Sequence, residues 1–138
     1  KKYGIGLITW APMAMGVLAG RYQNTNNLPK NSRAIYRGGY YRDRVTEAGL
    51  KVGKKFGILA KKIDLSPAQL ALLWAKDQSG VTAPLMGPRT MKHLEELLPV
   101  MEMRLDDKTR LACDQLVHPG TAVTDFHNTS GWMKMVIR

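Results

Sequence analysis

Five basic side chains stand where a phosphate could be held. Arg21, Lys30, Arg33, Arg37 and Arg89 all fall in segments that read as loops beside strand ends. A guanidinium offers a planar fork of N–H donors that matches phosphate oxygens, so arginines gathered at strand ends suit anion binding. The corner Gly87-Pro88-Arg89-Thr90 adds main-chain donors. It closes one predicted strand and opens one predicted helix, so N–H groups and the positive helix end face an anion, and Gly87 lets the backbone come close. Proton-transfer and metal chemistry have no comparable signature. His118 and His127 are lone histidines without metal-ligand spacing. Cys113, the single cysteine, reads as a small buried hydrophobe on the last helix. No catalytic residue and no metal ligand is assigned.

The remaining charge is of another kind. Lys51, Lys54, Lys55, Lys61 and Lys62 share one predicted helix and read as a solvated face, although they contribute to the net charge of +10. Nucleic-acid binding is disfavoured, because no recognised motif or aromatic interleaving accompanies the charge. With 138 residues and 44% hydrophobic content, the chain reads as one globular domain. No apolar run reaches the ~18 residues a membrane helix needs. A lone cysteine points to a reducing, cytoplasmic setting. The start, Lys1-Lys2-Tyr3-Gly4, is not a signal peptide and lacks methionine, as a processed product or fragment would.

The elements that must position the arginines follow from patterning. Residues 4–11 read as a short buried strand, apolar and bounded by glycine and Pro12. Residues 13–20 show no clear period, and 22–42 read as a long loop. A helix is predicted over 42–63, with Val45, Gly49, Val52, Phe56, Leu59 and Ile63 on one stripe. Gly49, Gly53 and Gly57 repeat every fourth residue and read as a tight packing line. Ser66, Pro67 and Gln69 open a second helix with a capping box, Leu70, Leu73 and Trp74 supply its buried face, and Gly80 ends it. Residues 81–86 read as a second strand, with Pro84 marking an edge or irregular end. A helix follows over 90–100, and Asp106 caps a last one through Leu116. Alternating strands and helices predict parallel pairing with crossover helices. Two parallel strands with about four helices leave apolar surface bare, so more chain or other copies must complete the sheet.

Trp10-Ala11-Pro12-Met13-Ala14-Met15-Gly16 through Gly20-Arg21-Tyr22 resembles the seventh barrel strand and loop of the aldo-keto reductase family. Residues 66–74 and 80–96 resemble its helix, eighth strand and adenosine-binding turn, and Ser32-Arg33-Ala34 is similar to the subgroup with potassium-channel beta subunits and bacterial reductases. The resemblance covers roughly residues 4–117 and implies an α/β fold, the C-terminal portion of a (β/α)8 TIM barrel. In such barrels phosphates favour the loops after strands seven and eight, here 12–42 and 87–90.

The resemblance implies NADP(H) as cofactor. Arg89 and Thr90 would hold the 2′-phosphate, and His93 and Glu96 would border the adenine. Arg21, in place of the usual lysine, and Arg33 would touch the pyrophosphate or ribose. Trp10, Ala11, Pro12, Met13, Ala14 and Gly16 would line the pyrophosphate and nicotinamide, and Gly87 would admit the phosphate. The chain departs from the pattern at Ala11, where serine is usual; at His93, for Gln or Arg; and at Leu97, for the asparagine that meets adenine. The family's catalytic Asp, Tyr, Lys and His lie on strands before the seventh, and none of those segments is in this chain.

Plainer readings stand beside these. Trp10 could be core packing, Trp74 reads as core, His93 could be an ordinary exposed helix residue, and Met13, Met15 and Met86 read as gap filler. Residues 118–138 form a tail whose Phe126, Trp132, Met133 and Met135 either shape a substrate pocket or cover barrel surface. The first functional expectation is an NADPH-dependent reductase of aldehydes or ketones, with residues 1–138 as its cofactor-binding part. The alternative is a non-catalytic nucleotide-binding or regulatory module. Assembly of several copies into one barrel is a third. The expected partners are a carbonyl substrate and an N-terminal barrel segment or further copies, with neither nucleic acid nor membrane.

Overall fold

The computed structural model describes residues 3–123. Strand β1 (Leu7–Thr9) leads through a 3-10 turn (Ala14–Gly16) into the long loop, which carries two short helices, α1 (Arg33–Tyr36) and α2 (Tyr40–Asp43). Helices α3 (Glu47–Lys61) and α4 (Pro67–Lys76) follow, then strand β2 (Val81–Pro84), helix α5 (Met91–Leu97) with a 3-10 extension (Leu98–Met101), and α6 (Asp107–Leu116). The expected mixed α/β order, with two parallel strands and four main helices, is present.

The strands pair in parallel, Leu7 with Val81, Ile8 with Ala83 and Thr9 with Pro84, with an irregularity between Leu7 and Ile8. There the Leu7 N–H donates to the Thr82 hydroxyl (3.0 Å). Pro84, which has no N–H to give, occupies the last paired position, and the ladder resumes with Leu85 N–H donating to the Thr9 carbonyl (2.8 Å).

The first strand is not buried, contrary to the sequence expectation. Ile5, Leu7 and Ile8 are 79%, 52% and 61% exposed. A strand is buried only where another layer covers its face, and the buried clusters among the described residues lie in the helices and the long loop. One joins Val17, Tyr22, Leu28, Ala34, Val45 and Leu50, so the loop after β1 packs on the start of α3. A second joins Phe56, Ala60, Leu70, Ala71 and Cys113 from α3, α4 and α6, and a third joins Leu72, Leu73, Leu97 and Val100.

Local chemistry sets the helix ends. Helix α3 begins five residues later than periodicity indicated because Thr46 caps it, its hydroxyl accepting from Gly49 N–H (3.1 Å). Its buried line runs through Leu50, Gly53, Phe56 and Ala60, beside the predicted stripe and sharing only Phe56 with it. It ends at Lys61, and Asp64 takes a left-handed conformation (φ 55°) that turns the chain toward α4. At α4 the capping box is complete: Gln69 N–H donates to the Ser66 hydroxyl (3.1 Å) and Ser66 N–H to the Gln69 side-chain oxygen (2.9 Å). Helix α4 stops at Lys76, short of Gly80, where the Asp77 carboxylate accepts from Lys76 Nζ and from Leu105 N–H, each at 2.6 Å. Asp106 caps α6 as expected, accepting from Thr109 N–H (2.8 Å). Phe126, His127, Trp132, Met133 and Met135 lie outside the described residues.

Candidate functional site

The loop leaving β1 is held in a conformation few sequences tolerate. Ala11, Ala14 and Met15 have φ of 55°, 46° and 59°, and Gly16 has 102°. Left-handed backbone costs a non-glycine residue roughly 1 kcal/mol or more. The surroundings hold it in place: Ala14 N–H donates to the Ala11 carbonyl (2.9 Å), Gly16 N–H to Met13 (2.9 Å), and the Tyr22 hydroxyl to the Met15 carbonyl (3.2 Å). Gly16 is required twice over, because a Cβ there would also stand 3.2 Å from Arg21 Cβ. Strain concentrated in one loop is a common mark of a binding site.

Arg21 follows this loop, and its guanidinium donates to Asn31, 2.6 Å from Oδ1 and 3.3 Å from the carbonyl oxygen. Arg89, from the corner after β2, donates to the same Asn31 carbonyl at 3.4 Å. The two nitrogens can therefore be no further apart than those distances laid end to end. The ion pairs among the described residues join Lys76 and Arg104 to Asp77 and Arg110 to Asp107, so no carboxylate neutralises Arg21 or Arg89. Two exposed guanidinium groups converging on one acceptor make a local field suited to an anion. Beside Asn31, Ser32 is 1% exposed and its hydroxyl has no hydrogen-bond partner. Arg33 reaches the Met15 sulfur (3.9 Å) and lies over the Tyr41 ring at 5.8 Å from its centre. Lys30 and Arg37 are exposed; the Arg37 backbone N–H donates to the Arg33 carbonyl (2.9 Å), but no side-chain hydrogen bond among the described residues ties either residue to this cluster.

Other predicted residues take different places. Gly87 is exposed, and a Cβ there would meet nothing within 4 Å, so the space beside it is open. Thr90 caps α5, its hydroxyl accepting from His93 N–H (3.2 Å), and His93 is exposed. Glu96 is drawn to the start of α4: its carboxylate accepts from the Ser66 hydroxyl (2.5 Å) and its carbonyl from Gln69 Nε2 (2.8 Å). Leu97, where asparagine is usual, lies in the core with Leu72 and Val100. Met13 fills space between two core clusters while Pro12 is half-buried. Trp10 is 56% exposed, so it is no core residue. Trp74 is half-buried, its indole N–H donating to Asp114 (3.2 Å).

Cys113 lies in the core formed by α3, α4 and α6. Burial, reinforced by the nearby Asp114 and Asp106 charges, pushes its thiol up to about 11, which leaves it a packing residue. Asp77 is tuned the other way. Burial alone would raise it, but the Lys76 hydrogen bond, the Leu105 N–H and the Lys76 and Arg104 charges outweigh burial and hold it below the usual carboxylate range.

Sequence reasoning missed Asn31, which connects the two arginine loops, and Arg44, whose guanidinium lies over the Trp10 ring. Their only sequence signal was membership of the long loop and of the segment just after it.

The aldo/keto reductase family profile matches residues 1–118. The chain belongs to the aldo/keto reductase family. It is 30% identical over 118 residues to an uncharacterized oxidoreductase, YrpG, of Bacillus subtilis strain 168, a match covering 85% of this chain and 34% of that protein. The chain thus spans about a third of the length of this relative. Family membership implies that β1 and β2 are neighbouring strands of a partial TIM barrel, which accounts for their open faces. Among the described residues no helix is long and apolar enough to cross a membrane.

Proposed function

We propose that this chain supplies the NADP(H)-binding corner of an aldo/keto reductase that reduces an aldehyde or ketone by hydride transfer. The observation that carries the reading is the convergence of Arg21 and Arg89 on Asn31, with no neutralising carboxylate among the described residues. The donor set fits the cofactor's phosphates. Arg89 and Thr90 would hold the 2′-phosphate beside the open space at Gly87, and Arg21 and Arg33 would meet the pyrophosphate or ribose. The strained small-residue loop at Ala11, Ala14 and Gly16 would let the pyrophosphate come close to the main chain, and Trp10 would border the nicotinamide. His93 would lie along the adenine, while Glu96 would act mainly by holding α5 against α4.

When bound, the cofactor supplies the hydride. The role of these residues is to bind and orient it: two loops far apart in sequence are pinned to one asparagine, which fixes the spacing of the two guanidinium forks. The proton that a carbonyl oxygen takes up in such a reduction is assigned to none of the described residues. The single cysteine, Cys113, has no second cysteine in this sequence to pair with, which suits a reducing, cytoplasmic setting.

The test is Arg89→Ala in the full-length protein, with dissociation constants for NADPH and NADH measured by calorimetry. Loss of a charge-assisted contact to phosphate weakens NADPH binding roughly 10- to 100-fold, while NADH, which lacks the 2′-phosphate, changes little. Equal weakening of both would rule out the 2′-phosphate role.

A further inference from the structure

The lysines of α3 read from sequence as a solvated face, and the structure shows what stands among them. Lys51, Lys54, Lys55, Ile58, Lys61 and Lys62 are all exposed, Ile58 at 60%. At 3.6 residues per turn these six fall within an arc of about 120° and span roughly 16 Å. The other side of the helix carries Leu50, Gly53, Phe56 and Ala60 into the core. Lys54, Lys55, Lys61 and Lys62 are the third and fourth neighbours of Ile58 in both directions, the positions that adjoin it on a helix surface. One large apolar residue is therefore ringed by four lysines. Acidic residues flank this face: Glu47, in the first turn, accepts from the Thr25 hydroxyl (2.5 Å), and Asp64 lies past the end of the helix. None of the ion pairs among the described residues involves the five lysines.

We propose that this face of α3 docks on an anionic phospholipid surface, with the lysines at the headgroups and Ile58 entering the acyl boundary. Lysine is a compact point charge on a flexible stem, suited to a surface whose negative charge is diffuse. Clustered lysines on a helix are drawn to the negative potential of an acidic bilayer, each strengthening binding about fivefold. That attraction fades within a Debye length, about 10 Å at 0.1 M salt, so several charges must approach together, and one helix face supplies them. A bilayer has an apolar layer just beneath its charged one, which matches an apolar residue in the middle of a basic ring. Duplex nucleic acid answers the lysines but offers Ile58 nothing along its phosphates, and a single strand asks for stacking aromatics, which this face lacks. An acidic polypeptide would have to bring its own socket for Ile58. With a single apolar anchor, the contact is reversible and sensitive to salt. Such a contact needs no spanning segment, so the lack of a long apolar helix among the described residues, on which the expectation of no membrane partner rests, does not oppose it.

The test is co-sedimentation of the full-length protein with vesicles of phosphatidylcholine, alone or with about one third phosphatidylserine. Binding is expected to the acidic vesicles only, and to be lost at about 0.5 M salt. The double variant Lys51→Gln/Lys55→Gln should bind them about 25-fold more weakly. Lys92→Gln/Lys108→Gln removes two exposed lysines from α5 and α6 and should leave binding nearly unchanged. Ile58→Ser should weaken vesicle binding roughly tenfold without altering retention on polyglutamate or duplex DNA. Lys54→Gln/Lys61→Gln carries the same test should the first pair fail to fold. Acidic vesicles that fail to bind the wild type overturn the inference, as do an equal loss in the α5 and α6 pair and an Ile58→Ser variant that binds vesicles like the wild type. Capture by polyglutamate or DNA with the same lysine dependence, and none by vesicles, overturns it too and assigns the face to that polyanion.

Discussion

Adding one methyl group at Gly53 should loosen this molecule, although the same change one turn later should tighten it. Both glycines lie inside α3, where replacing glycine by alanine gains roughly 1 kcal/mol from backbone entropy alone. The surroundings decide the sign. A Cβ at Gly53 would sit 2.7 Å from the Val17 carbonyl oxygen and 3.4 Å from Val17 Cγ1, and Val17 is itself 5% exposed in the core. Its carbonyl accepts from Gly20 N–H (3.2 Å), so it cannot retreat without disturbing the loop of the candidate site. Overpacking of this kind costs about 1–3 kcal/mol, which leaves Gly53→Ala less stable by about 1 kcal/mol. At Gly57 the nearest atom would be Pro67 Cγ at 3.7 Å, an ordinary contact, so Gly57→Ala should gain most of its helix propensity. The two variants should differ by roughly 2 kcal/mol, or about 8 °C in melting temperature for a domain of this size. Thermal and urea unfolding of both variants measure this. Gly53→Ala melting at or above Gly57→Ala would refute the packing argument. Because Val17 closes the turn after Ala14–Gly16, Gly53→Ala should also weaken cofactor binding, and Gly57→Ala should not.

Ser66→Ala removes both the α4 cap and the hydroxyl that donates to Glu96, and should lower stability by about 1–2 kcal/mol, read by urea unfolding. Asp77 is held below its ordinary value in the folded state, so its stabilisation is complete above ~3.9, the unfolded value, and is lost as pH falls through the folded one. Asp77→Asn should be less stable at neutral pH and show a shallower acid loss below that point, and parallel pH–stability curves would contradict this. Cys113, buried and with its thiol pushed up to about 11, should resist iodoacetamide in the native protein at pH near 8 and react once unfolded in urea, as mass spectrometry would record.

The residues themselves determined whatever closes within a few positions. The Ser66–Gln69 box, the Asp106–Thr109 cap and the Thr90–His93 cap each bring together atoms three residues apart, and no distant partner can easily override a bond so cheap in chain entropy. The order of elements was legible for the same reason, since hydrophobic period is a local property. The family motifs were legible because they occupy these local turns. Tertiary structure alone decided which side chains meet. Asn31 lies in a loop whose sequence shows only polarity, and the fold makes it the shared acceptor of Arg21 and Arg89. Arg44 read as the first turn of a helix until Thr46 took the cap and left it buried against Trp10. Glu96 turned to Ser66, and β1 stayed open because burial depends on which layer covers a strand. Contacts between segments so far apart in the chain depend on how every intervening element packs, and no window of sequence contains that information.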